Sequence, residues 1–223
     1  MVKAVYETQT PTIVVLINQR PLTINYIAEN IPAILEAWNP GAEGGNAFAD
    51  VLFGDYNPGG KLPITFPRST GQLPLYYNFE PGWHGGTFAC GTPTTPLYPF
   101  GFGLSYTTFE YSNLRLSSNT INHQGKVDFM VDVKNTGKSL GDEVVQLYIN
   151  DPVASRVRPM KELKGFQRIS LKPNESRTVK FTITPDSLAF YNNQMEWTVE
   201  SGVFNIMAGG SSTDLKTISL RVK

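Results

Sequence analysis

The chain has 223 residues, with 19 Lys plus Arg against 19 Asp plus Glu, so its formal charge is zero and nothing advertises nucleic acid or another polyanion as a partner. It is 40% hydrophobic and 12% aromatic, enough for one large core or two ordinary ones, which excludes a disordered chain. The longest apolar runs, such as Ile13 to Ile17, are far too short to cross a bilayer, and the opening MVKAVYETQT does not read as a signal peptide.

Thr12 to Asn18 (TIVVLIN) is a continuous apolar, β-branched run, the pattern of a strand buried on both faces. Asn18 to Pro21 turns the chain, and Asn25 to Asn30 reads as a short helix that Pro32 stops. Ala33 to Ala37 reads as a second buried strand, so strand, short helix and strand predict a parallel βαβ unit. After the turn Trp38 to Gly45, Ala47, Phe48, Val51 and Leu52 fall on one helical face, and Gly54 is placed to end that helix. Asn57-Pro58-Gly59-Gly60 is dense turn chemistry. Leu62, Ile64 and Phe66 then alternate with polar residues and prolines, which predicts an edge or irregular strand.

The Gly-rich turn has neither the Gly-Lys-Ser/Thr ending of a P-loop nor a GxGxxG pattern, and Glu43 at its mouth would repel a phosphate. Two readings stay open. The glycines let helix and strand pack closely, or Trp38 and Glu43 stand at the carboxyl end of a parallel strand, where open α/β sheets bind ligands. Pro67 to Tyr98 is rich in Gly and Pro, with Tyr76, Tyr77, Phe79, Trp83 and Phe88 interleaved. Such a long irregular segment either presents rings to a sugar face or plugs an interface between domains.

Cys90 is the only cysteine, so no intrachain disulfide exists, and its neighbour His84 forms no recognisable motif with it. Cys90 reads as a plain small side chain. His84 and His123 stand apart without ligand spacing, so no metal and no cofactor is expected.

Beyond Tyr106 the pattern changes to period two. Val127, Phe129, Val131 and Val133 alternate with polar residues, as do Val145, Leu147 and Ile149, and Val179, Phe181 and Ile183. Phe204 and Ile206, then Ile218, Leu220 and Val222, complete the set, with Gly, Pro and Asn turns between. Short alternating strands with regular turns predict an all-β sandwich, fibronectin-like because no Cys pair is present. Arg156, Arg158, Lys161, Glu162, Lys164 and Arg168 cluster between strands and read as a solvated face. Asn174-Glu175-Ser176 matches an N-glycosylation sequon.

Four ordered blocks resemble one family. PAILEAWNPGAEGGNAFADVLFGDYNPGGKLPITFP (Pro32 to Pro67) is similar to glycoside hydrolase family three, which includes β-glucosidases and β-xylosidases. TIVVLINQRPLTI (Thr12 to Ile24) looks like that family's preceding strand and turn, and PLYPFGFGLSYTTFEY (Pro96 to Tyr111) like its linker into the last domain. GDEVVQLYINDP (Gly141 to Pro152) with KELKGFQRISLKPNES (Lys161 to Ser176) looks like its fibronectin type III-like domain. The segment Pro81 to Thr95 departs from the family pattern.

The resemblance implies a three-part parent: a barrel with an Asp nucleophile, an α/β sandwich with a Glu general acid/base, and a terminal fibronectin-like domain. The chemistry would be retaining hydrolysis through a covalent glycosyl-enzyme. The matching blocks begin after both carboxylates. Glu7 does not fit the acid/base motif, and Glu36 and Glu43 are not the family's catalytic positions, so no catalytic residue is expected here. The expected fold is α/β followed by all-β. A partial α/β sandwich occupies 1–98, a linker 99–112 and a fibronectin type III-like β-sandwich 113–223. Trp38, Asn39 and Glu43 would form or brace a pocket wall, with Trp83 reaching toward the leaving group. The implied partners are a β-linked glycoside, met through a secreted or periplasmic parent, and the missing barrel or another copy of the chain. A stand-alone carbohydrate-binding module and a protein-interaction module remain as alternatives.

Overall fold

The computed structural model describes residues 1–82, 91 and 93–223, so Trp83, His84, Phe88 and Cys90 lie outside the described residues. Two compact units divide the chain. The first holds Met1–Tyr56, Ile64–Leu75 and Gly86–Tyr98, and the second holds Asn57–Pro63, Tyr76–Gly85 and Pro99–Lys223.

In the first unit, α1 (Val2–Tyr6) is followed by β1 (Ile13–Leu16), α2 (Asn25–Asn30), β2 (Ala33–Glu36) and α3 (Gly44–Phe53). β1 and β2 pair in parallel, Ile13 opposite Ala33 and Leu16 opposite Glu36, so the expected βαβ unit forms. α2 runs between the buried residues Ile24 and Ile31, and Pro32 follows it. Gly54 closes α3 in the left-handed conformation at φ 90, which costs glycine no Cβ clash.

One expectation is corrected. β1 and β2 are not buried on both faces: Ile13 is 52% exposed and Ile17 64%. The sheet has only these two strands, so each keeps one unpaired edge, and neither has a fully buried residue. The apolar face of α3 is likewise only partly covered. Phe48 and Val51 are half-buried, Ala47 and Leu52 are exposed, and Phe53 is 85% exposed. Leu62, Ile64 and Phe66 form no regular strand; a single bridge joins Phe66 to Tyr98. Phe66 is buried with its ring 6.1 Å from that of Tyr98.

The second unit is a β-sandwich of β3 (Phe109–Leu116), β4 (Thr120–Ile121), β5 (Val127–Asn135), β6 (Gly141–Asn150), β7 (Glu162–Leu171), β8 (Ser176–Ile183), β9 (Phe190–Tyr191), β10 (Trp197–Thr198), β11 (Gly202–Gly209) and β12 (Leu215–Val222), with α4 (Pro185–Leu188) between β8 and β9. One sheet has the order β4-β12-β11-β6-β7, the other β3-β5-β8, and β9 pairs with β10. The period-two residues meet in the core: Val127 faces Ile183, Phe129 faces Phe181 and Val131 faces Val179 across the β5–β8 ladder, and all six are buried. β3 starts inside the segment 99–112 and puts Tyr111 into the same core.

β6 is buried on both faces over Val145–Ile149. Its second face is covered by the irregular aromatic segment. Tyr77 stacks on Phe100 with ring centroids 4.3 Å apart, and its edge meets Tyr148 at 5.9 Å. Leu163 N–H donates to the Tyr77 hydroxyl at 3.2 Å, and Met160 N–H to the Phe79 carbonyl at 2.9 Å. Tyr77 and Phe79 thus pack within the second unit, a role that neither the sugar-face nor the interface reading of these aromatics anticipates. The run Pro99-Phe100-Gly101-Phe102-Gly103 pairs with the loop before it: Gly101 N–H donates to Leu62 O and Leu62 N–H to Phe102 O, both at 2.8 Å.

Candidate functional site

The carboxyl ends of β1 and β2 converge on one cluster. Asn18 follows β1, and its amide nitrogen, turned so that both ends are satisfied, donates to Glu36 Oε1 and to Arg20 O, each at 3.2 Å. Glu36 is the last residue of β2, and its Oε1 also accepts from Trp38 N–H at 3.1 Å. That bond holds Trp38 at φ 50, a left-handed backbone that a bulky side chain adopts only under constraint. The indole is half-buried, 5.9 Å from the Phe66 ring and tilted by 55°.

Asn39 and Glu43 lie in the turn that follows, both exposed. Glu43 Oε2 accepts from Asn46 Nδ2 at 2.6 Å. Gly44 is buried, and a Cβ on it would stand 2.6 Å from the Pro40 Cβ, so this glycine serves close packing of the turn on the helix start. Gly45 has open space around it. Trp38 therefore comes together with Glu36 and Phe66, while Asn39 and Glu43 lie in the exposed turn that follows; Trp83 lies outside the described residues. The sequence sets Glu36 aside as a catalytic position and gives it no other role. The signal was a carboxylate at a strand end two residues before a Trp-Asn-Pro-Gly turn, where the first free N–H groups need an acceptor.

Chemically, this arrangement orients a ring and offers hydrogen bonds. Glu36 is engaged by Asn18 and the Trp38 backbone, and Glu43 by Asn46. Among the described residues there is no cluster of three metal-ligating groups.

The second unit contains two buried charge centres. Lys61 Nζ is 3.1 Å from Glu143 Oε2, and the Tyr111 hydroxyl donates to Glu143 Oε1 at 2.7 Å. Burial, reinforced by the Glu143 charge, pushes the Tyr111 phenol far above its ordinary range, so it stays a proton donor. In the β6–β7 connection, Arg158 pairs with Glu162 at 2.7 Å and its guanidinium lies 4.7 Å over the Phe190 ring. Burial raises the pKa of the nearby Asp151, while Arg158 opposes that shift. Lys161 Nζ donates to Ser212 O at 2.6 Å, and burial lowers its pKa.

These contacts amend the solvated reading of the 156–168 cluster. Arg156 and Arg168 are exposed, but Arg158 and Lys161 turn inward because an aromatic ring and a backbone carbonyl, distant in sequence, receive them.

Comparison with known proteins adds two domain matches. The Glycosyl hydrolase family 3 C-terminal domain is matched over residues 1–106, and the Fibronectin type III-like domain over residues 143–212. A β-xylosidase of Formosa agariphila is 52% identical over 100% of this chain and 31% of its own length. A periplasmic β-glucosidase of Salmonella typhimurium is 47% identical over 97% of this chain and 29% of its own. Among solved structures, a β-glucosidase from Erythrobacter marinus superposes with a TM-score of 0.96 at 43% identity, covering 100% of this chain and 29% of that one. A Listeria innocua β-glucosidase in complex with glucose gives 0.92 at 38% identity, covering 99% and 32%. The chain thus spans about a third or less of the proteins it matches. With its α/β unit first and its sandwich second, the chain belongs to glycoside hydrolase family three and matches the C-terminal part of that family's β-glucosidases and β-xylosidases.

Proposed function

We propose that this chain is the C-terminal scaffold of a retaining, exo-acting β-glycosidase whose nucleophile and general acid/base lie outside residues 1–223. On this reading the end of the α/β sandwich domain occupies 1–98, a connecting segment 99–112 and the fibronectin-like domain 113–223. Trp38, Asn39 and Glu43 form one wall of the sugar pocket. The substrate is a β-linked glucoside or xyloside, in keeping with the names of the relatives.

The observation that carries the proposal is the Glu36–Trp38 contact. A left-handed, non-glycine residue costs about 1–3 kcal/mol. Here that backbone is held by a carboxylate at a strand end, where open α/β sheets present ligand-contacting residues. The exposed Ile13, Ile17 and Phe53 supply a surface for the barrel-bearing part of the parent, or for a second copy of the chain.

The test is an assay of p-nitrophenyl β-glucoside and β-xyloside. The chain alone gives no turnover. A full-length protein carrying this chain turns one of them over, and Trp38→Ala there lowers kcat/KM by about tenfold or more. Turnover by the chain alone that Glu7→Gln, Glu36→Gln or Glu43→Gln abolishes would overturn the proposal.

A further inference from the structure

The hairpin β9–β10 carries an aromatic pair that nothing above uses. Tyr191 and Trp197 face each other across the two strands, with ring centroids 5.0 Å apart and planes inclined by 58°. They are 53% and 52% exposed, although Phe190 and Thr198 beside them root the hairpin, Phe190 being buried beneath the Arg158 guanidinium.

The turn that joins the strands is held rigid. Asn192 Oδ1 accepts from Gln194 N–H at 2.9 Å and from Glu196 N–H at 3.0 Å, and Asn192 N–H donates to Glu196 O at 3.0 Å. The backbone that carries the rings is therefore shaped before any ligand arrives, which reduces the ordering cost of binding. Trp197 Nε1 lies 3.5 Å from Asp186 Oδ1, so a carboxylate sits at the edge of the indole.

We propose that Tyr191, Trp197 and Asp186 form a binding site for a soluble, neutral glycan chain. A pyranose presents a face of C–H groups and a rim of hydroxyls. An exposed indole takes the first, and a carboxylate at its edge accepts from the second. The exposed Glu196 and Asp186 repel a polyanion, which selects a neutral chain. Coplanar rings would suit a flat crystalline surface; rings inclined at 58° suit a soluble chain whose successive residues turn. A protein partner fits less well. A stable interface buries roughly 800 Å² per partner around an apolar centre, and this hairpin offers two rings and Met195 among exposed polar groups. The proposal needs only the second unit and does not rest on the pocket assigned to Trp38.

Native electrophoresis of the whole chain through gels containing laminarin or soluble xylan tests it. Retardation by at least one glycan is expected, and Trp197→Ala and Tyr191→Ala each weaken it by about tenfold. Trp197→Phe, which keeps a ring in the fold, retains most of it, and Phe166→Ala, which removes an exposed ring elsewhere in the sandwich, leaves it unchanged. Equal urea midpoints for the parent chain and Trp197→Phe establish that folding is not being read. No retardation by either glycan, or retardation indifferent to Trp197→Ala, overturns the proposal. So does concentration-dependent self-association that Trp197→Ala abolishes, or tetramethylammonium competing for the rings, which would identify a protein or a cation as the occupant.

Discussion

Tyr111 donates its hydroxyl hydrogen to Glu143 at 2.7 Å, at a register of β6 whose next inward positions are Val145 and Leu147. Lys61 completes the group at 3.1 Å, and the side chains of Lys61 and Glu143 are only 14% and 5% exposed. Removing one partner of a buried pair strands the other charge. Lys61→Met is expected to cost about 3–5 kcal/mol, and Tyr111→Phe about 1–3 kcal/mol. The triple change Lys61→Met, Glu143→Leu and Tyr111→Phe, which leaves no polar group of the trio behind, should recover most of the first loss. Urea midpoints of the four proteins decide this; a Lys61→Met midpoint equal to the parent's would sink the account.

Gly103 is expected to tolerate no side chain, since a Cβ there would overlap the Gly60 carbonyl oxygen, a backbone atom with nowhere to go. Gly103→Ala should lower stability by about 1–3 kcal/mol or more. Gly60→Ala, where a Cβ meets open space, should stay within about 1 kcal/mol. Parallel chemical unfolding of the two variants compares them directly.

Three carboxylates of the sandwich set its acid stability. A hydrogen bond from Lys180, then one from Thr182, holds Asp128 below the usual carboxylate range. Thr178 and Asn113 do so for Asp132, and the Lys172 backbone N–H with Arg177 for Glu175. Each binds its proton less readily folded than unfolded. Their contribution is therefore complete above the unfolded pKa of about 4 and is lost as pH falls through the lower folded values. The urea midpoint should drop on acidification below about pH 4, and Asp128→Asn with Asp132→Asn should flatten that drop.

Asp151 acts with the opposite sign. Burial raises its folded pKa, so its contribution is complete below the unfolded value of about 4 and is lost as pH rises through the higher folded one. Asp151→Asn should therefore raise the midpoint at neutral pH and change it little near pH 3. A variant less stable at neutral pH would show that Arg158 depends on this carboxylate more than burial penalises it.

Trp38→Gly separates the ring from its backbone. It removes the indole contact with Phe66 but relaxes the φ 50 conformation that glycine adopts freely. It should unfold at a higher urea concentration than Trp38→Ala, by about 0.4–1 kcal/mol, while both lose activity equally in a full-length protein. Equal stability of the two variants would mean that the left-handed backbone carries no strain.

The sandwich core was legible because β5 and β8 keep strict alternation, and parity alone identifies Val127, Phe129, Val131 and Val133 as inward. β3 was hidden by a register shift between Ser112 and Arg115, with Asn113 at φ 52, which breaks period two at mid-strand. Glu143 shares the inward parity of Val145 and Leu147, so a polar residue at an apolar register was the available sign of a buried ion pair. The direction of Arg158 and Lys161 was not legible, because Phe190 and Ser212, which receive them, lie far along the chain. In the candidate site, the strand-end position of Trp38 could be read from the sequence. Its left-handed backbone could not, since that depends on Glu36 reaching back to a single N–H.

The chain enters the second unit at Asn57–Pro63, leaves it, returns at Tyr76–Gly85, and enters finally at Pro99. Lys61 thus belongs to the sandwich that holds Glu143, although residues of the first unit stand on both sides of it in sequence. No single peptide bond separates the two units. A gene fusion joined at one point before Pro99 would inherit Glu143 without Lys61, and Tyr148 without Tyr77. A joint at Asn57 would in turn part Trp38 from Phe66, so neither unit can be exchanged between relatives at one point without dividing a packed pair.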